Sequence, residues 1–115
     1  MSATPPHQKR NYYRLQYPKS ERPTVWFQGC TYEVSEISEG GVRIMLASGC
    51  AVRLHQTFAG VLRFKDGDTT PVVGVVLRWK EGELVVQLSQ GISLKRMIAE
   101  QSRIRKKYPM FLDQT

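Results

Sequence analysis

The sequence predicts a mainly β domain: six short strands folded as a small antiparallel barrel or sandwich, closed by one C-terminal helix. Two observations carry this. Short runs rich in β-branched and aromatic residues recur at roughly ten-residue spacing, separated by glycine-containing turns. After residue 93 the apolar period changes to that of a helix. Length agrees, since 115 residues suit one domain. The apolar fraction of 41% is enough for a core.

Each element has its own signal. Residues 1–9 are polar and proline-containing and read as a tail. Residues 10–23 hold two prolines and no clear period, so they read as a structured loop. Thr24 to Phe27 opens the strands, and Gln28-Gly29-Cys30 turns into Thr31 to Val34. Gly40-Gly41 precedes Val42 to Leu46. Val52 and Leu54 suggest a further short strand within a mixed connection. Ala59 to Lys65 ends at Asp66-Gly67-Asp68, a strong turn signal. Val72 to Trp79 contains the longest apolar run, which suits a strand near the sheet centre, and Lys80 to Glu83 returns the chain into Leu84 to Leu88. Trp26, Phe27, Phe64 and Trp79 lie in apolar runs and are assigned to the core. Over 93–107, Leu94, Met97, Ile98, Ile104 and Tyr108 trace a helical stripe, with Ser93 as N-cap and Pro109 as the stop. Residues 109–115 read as a second tail.

The composition excludes several functions. Two cysteines, Cys30 and Cys50, make no disulfide framework and suit a reducing, cytoplasmic setting. His7 and His55 are the only histidines, so a histidine-rich metal site is excluded. No apolar run could cross a bilayer, and no signal peptide is expected. No Ser–His or Cys–His pairing and no phosphate-cradling glycine loop is suggested, so an enzyme is not expected. The net charge of +7 points to an anionic partner. Lys9, Arg10 and Arg14 crowd the N-terminus, and Arg103, Arg105, Lys106 and Lys107 crowd the end of the helix. The second cluster reads as cations complementing the helix dipole.

Two motifs remain. Arg10 and Arg14 are the only arginines four positions apart. Glu36-Ile37-Ser38-Glu39-Gly40-Gly41 gives a carboxylate, a serine and a glycine at fixed offsets between two strands. In this order the motifs resemble the PilZ domain, a bacterial receptor module for cyclic di-GMP. Its pattern is RxxxR before the first strand, then [D/N]xSxxG about twenty residues on. The run Ile37 to Ile44 also looks like the family's. The resemblance covers about residues 9–107. Glu36 departs from it, being one methylene longer than the usual Asp.

The resemblance implies a six-stranded antiparallel split barrel over 24–90, a ligand-binding loop over 10–23 and a helix over 93–107, within a domain spanning 10–108. It implies cyclic di-GMP as ligand, with no cofactor, metal or catalytic residue. Arg10 and Arg14 would grip phosphate or guanine through paired charge-assisted hydrogen bonds. Glu36 would accept from guanine N–H donors, Ser38 would supply a hydroxyl, and Gly41 would allow close backbone approach and unusual dihedrals. Lys9, Gly40 and Arg78 are additional contacts, with Arg78 placed to stack on a base. The implied function is an adaptor that changes conformation on binding and regulates a protein partner in motility, attachment or biofilm control. The alternatives are a PilZ-like interaction module without nucleotide binding and, behind it, a small nucleic-acid-binding barrel.

Overall fold

The computed structural model describes residues 14–46, 52–80 and 82–112. Seven strands form: β1 (Arg14–Gln16), β2 (Thr24–Phe27), β3 (Cys30–Ser38), β4 (Gly41–Met45), β5 (Thr57–Arg63), β6 (Thr69–Lys80) and β7 (Glu83–Gln90). Two helices follow, α1 (Leu94–Lys107) and α2 (Pro109–Leu112). The strands run in the order β1-β3-β2-β5-β6-β7-β4, and β4 pairs back onto β3. That last pairing closes β2 to β7 into a six-stranded antiparallel barrel. β1 lies outside the ring, on the stretch of β3 beyond the reach of β2.

Local chemistry sets the turns. Gln28 and Gly29 both have positive φ, 51° and 79°, as the tight β2–β3 hairpin requires. At the β5–β6 turn, Phe64 N–H donates to Asp68 C=O and Asp68 N–H to the Asp66 carboxylate, each at 2.9 Å. Alternation along each strand then fills the barrel. Val25, Phe27, Val34, Ile37, Ile44, Phe58, Leu62, Val72, Val76, Leu84 and Val86 are buried. The Phe27 and Phe58 rings stack with centroids 4.1 Å apart.

Helix α1 closes one side of the barrel with Met97 and Ile104. Ser93 Oγ accepts from Arg96 N–H, as expected of the N-cap. Its third inward residue is a carboxylate, Glu100. Tyr17 OH donates to Glu100 at 2.5 Å, and Arg103 donates at 3.2 Å. Burial, and then the Glu100 carboxylate, push the Tyr17 phenol well above the usual tyrosine range. Glu21 ends a 3-10 turn over Lys19–Glu21 and receives Arg103 at 2.6 Å, Lys107 at 2.9 Å and the Tyr108 hydroxyl at 3.1 Å. Arg96 bridges Asp66 and Asp68 and lies 4.3 Å over the Phe64 ring. The helix is thus fastened to the β5–β6 turn at one end and to the N-terminal segment at the other.

The structure corrects several expectations. The 10–23 loop contains β1 and the 3-10 turn. Val52 and Leu54 form no strand; Val52 is buried in the core and Leu54 is exposed. Trp26 is 56% exposed and Trp79 45%, so only Phe27 and Phe64 of the four assigned aromatics are core. Trp26 alternates outward between Val25 and Phe27. Trp79 pairs with the buried Leu84 near the end of β6, on the inward side of the strand. Val72 to Leu77 also alternates, with Val75 and Leu77 outward. Leu94 and Ile98 are exposed because Arg96 and Glu100 take the contacts facing the barrel. The basic run at the end of α1 is more than a dipole complement, since Arg103 and Lys107 bind Glu21. Beyond Tyr108, Pro109 begins a further helical turn, a position where its missing N–H costs nothing.

Candidate functional site

Strand register lays the second motif across the outside of the barrel. One row runs Gln16, Glu36, Arg43, Val85 and Arg78 across β1, β3, β4, β7 and β6. The next runs Arg14, Ser38, Gly41, Gln87 and Val75 over the same strands. A solvent-open cavity of about 230 Å³ lies over these rows, lined among others by Arg14, Glu36, Ser38, Gly41, Arg43 and Arg78. Gly40 lines it too. Lys9 and Arg10 lie outside the described residues.

Glu36 is the electrostatic centre. Its side chain is 11% exposed, although it points out of the barrel. Gln16 Nε2 donates to Oε1 at 3.3 Å. Around Oε2 stand Arg43 Nε at 3.8 Å and Arg14 Nε at 4.0 Å. Arg14 keeps 72% of its side chain in solvent, so its guanidinium still has donors to offer. Arg43 is held from its other side by Glu83 at 3.4 Å, and Glu83 in turn accepts from Ser35 Oγ at 3.0 Å. Glu36, one methylene longer than the usual Asp, thus has its carboxylate beside this arginine pair.

Ser38 Oγ donates to the Gly41 carbonyl at 3.2 Å, which leaves its lone pairs for other donors. Gly41 serves strand packing rather than an unusual dihedral. Its φ is not in the left-handed region, and a Cβ there would meet the Val86 carbonyl oxygen at 2.9 Å. Arg78 follows a bulge at Leu77, which places both residues on the cavity wall.

Sequence reasoning missed Arg43. The alternation Val42-Arg43-Ile44 shows that it faces away from the core. That Glu36 lies opposite it follows only from the β3–β4 register, which slips between Val34 and Glu36. Among the described residues no three His, Cys, Asp or Glu side chains group as a metal site. None of the described helices is long and apolar enough to cross a membrane.

No protein-family model and no curated protein matches the sequence. Solved structures do. An uncharacterized Legionella protein, Lpg0364, is 14% identical with a TM-score of 0.59, over 83% of this chain and 96% of that one. The Bacillus subtilis inhibitor of motility, MotI/DgrA, is 17% identical with a TM-score of 0.62, over 87% of this chain; the chain spans only 51% of it. The PilZ domain of CeSA from a cellulose-synthesizing bacterium is 16% identical with a TM-score of 0.47, over 85% and 97%. At these identities the likeness speaks for fold alone. A six-stranded barrel closed by β3–β4 and flanked by one long C-terminal helix is the arrangement of the PilZ domain, and this chain has the PilZ fold.

Proposed function

We propose that the chain is a non-enzymatic, intracellular receptor for cyclic di-GMP that passes the signal to a protein partner. One observation carries the reading. Arg14, Glu36, Ser38, Gly40, Gly41 and Arg78, chosen from motifs far apart in sequence, line one cavity. Its charged lining is Arg14, Arg43 and Arg78 against Glu36, a net charge of +2. That balances the two phosphates of one ligand molecule. At about 230 Å³ the cavity is smaller than the roughly 300–1,000 Å³ that encloses a drug-sized ligand. The ligand therefore lies across its mouth. Arg14 grips phosphate or a guanine edge, Arg78 stacks on a base, and Arg10, with Lys9 beside it, supplies the second clamp.

A second reading is favoured by Glu36 itself. Its carboxylate already has Gln16, Arg14 and Arg43 around it, so it has less capacity left for guanine. On that reading the barrel is a protein interaction module without nucleotide. A nucleic-acid barrel is disfavoured because the two exposed tryptophans sit on different strand faces and build no shared stacking platform.

Isothermal titration with cyclic di-GMP decides, with GTP and cyclic di-AMP as controls and an Arg10→Ala/Arg14→Ala variant alongside. The expected result is selective binding at about 1 μM or tighter, lost in the variant while its melting temperature is kept. No heat and no thermal shift at high ligand overturns the receptor reading and leaves the interaction module.

A further inference from the structure

The outer face of β2, β5 and β6 is apolar where the water-facing side of an antiparallel sheet is ordinarily polar. Trp26 is 56% exposed, and Val61, Val75 and Leu77 are 39% exposed each. Register joins them into one band. Trp26 pairs with Val61, and Val61 pairs with Pro71. Ala59 pairs with Val73, and Thr57 with Val75. From Pro71 to Leu77 the band follows β6 for about 20 Å. A groove of about 430 Å³ between Val75 and Leu88 connects it to the candidate site, because Gln87 lines both. Apolar surface this continuous marks an interaction site, and a tryptophan at one end suits an anchor.

Charge selects the occupant. Arg63 stands at one end of the band and Arg78 at the other, and neither has an ion pair among the described residues. No Asp or Glu lies on β2, β5 or β6. Nearby acids are already engaged: Glu33 by Arg22, Asp66 and Asp68 by Arg96, Glu83 by Arg43. A second copy of the chain would set arginine against arginine in either orientation, on a molecule of net charge +7. Nucleic acid is disfavoured by the aliphatic centre of the band, which offers no second ring for stacking.

We propose that this face docks a different protein, one presenting an apolar ridge bordered by carboxylates. The adaptor reading supplies the reason for a partner; the face itself requires no nucleotide.

Site-specific photocross-linking in native cells tests this, with p-benzoylphenylalanine at Ala59 and Val75 and, as controls, at Ser102 and Lys106 on α1. The expected result is a discrete heterologous adduct from positions 59 and 75 only. Trp26→Glu abolishes it, and Arg63→Glu, which leaves the fold and the cavity untouched, lowers it at least tenfold. With the adduct partner purified, exchanging its bordering carboxylates for lysine restores binding to the Arg63→Glu variant. Adducts at twice the chain's own mass, nuclease-sensitive adducts, no adduct above the controls, or indifference to Arg63→Glu each overturn the proposal. The two readings fail separately. A silent titration with persisting adducts removes the nucleotide and keeps the face. Binding heat without adducts does the reverse.

Discussion

A methyl group on Gly41 would sit 2.9 Å from the Val86 carbonyl, and one on Gly74 only 2.0 Å from that of Gln87. Both obstacles are backbone of β7, which cannot swing aside as a side chain can. Overpacking of this kind typically costs about 1–3 kcal/mol. Gly41→Ala is expected to fall in that range, and Gly74→Ala, beside a bulge in the β6–β7 pairing, to exceed it. Urea denaturation of the two variants measures the order. Gly41→Ala also moves the β4 edge under the candidate site, so a ligand titration on the same sample reads both effects. Glu36 shows the same dependence on neighbours. It is one methylene longer than the residue the motif usually carries, and its carboxylate lies near both Arg14 and Arg43.

Helix α1 is held by polar contacts as much as by Met97 and Ile104. Removing the hydroxyl in Tyr17→Phe leaves buried Glu100 one donor short, a loss of about 1–2 kcal/mol in denaturant unfolding. Tyr17 directly follows β1, which carries Arg14. The same contact therefore links the strand that carries Arg14 to the helix. Glu21 makes the helix end sensitive to acid. Lys107, then Arg103, hold its carboxyl down to about 2 from an ordinary 4.5. A depressed carboxyl stabilises the fold above its unfolded value and loses that contribution as pH falls through the folded one. Stability is expected to drop between pH 4.5 and 2, by roughly 2 kcal/mol once the exposure of Lys107 is discounted. Glu21→Gln should be less stable at pH 7 and show a flatter melting profile over that acid window.

Closure of the barrel depends on one pairing between neighbours in sequence, β3 with β4, and on a core that reaches every strand of the ring. Phe58 is fully buried and stacked on Phe27 across the β2–β5 contact. Phe58→Ala is expected to cost about 3–5 kcal/mol, enough to unfold much of a domain of marginal stability at room temperature. Circular dichroism melting checks it, with a large fall in midpoint as the expected outcome. Because the barrel has no free edge within its ring, partners are left its outer surface. That surface divides into a polar, arginine-lined side running from β1, β3 and β4 through β7 to Arg78 of β6, and an apolar side at β2, β5 and the stretch of β6 from Pro71 to Leu77.

Local pattern determined much of this molecule. Thr24 to Phe27, the Gln28-Gly29 turn, the Asp66-Gly67-Asp68 turn and the Ser93-capped helix were legible because their causes lie within a few residues: β-branched side chains, positive φ, a capping hydroxyl. The order of the two motifs made Arg14, Glu36 and Ser38 stand out before any geometry. Tertiary structure decided the rest. Three residues of β1 carry no period of their own and become a strand only by pairing with β3. Arg43 joins Glu36 through register, and a bulge sets that register. Trp26 and Trp79 read as core because both are large and apolar, yet sheet closure turns Trp26 to the outer face, and Trp79, opposite buried Leu84, is exposed near the end of its strand. Folding brings a helix more than eighty residues away onto the N-terminal segment, and so Glu21 becomes the buried end of an ion pair with Arg103 and Glu100, already paired within its helix, accepts from Tyr17 OH. Sequence carries what short-range sterics and hydrogen bonding dictate; burial and pairing belong to the closed barrel, since they depend on residues that meet only there.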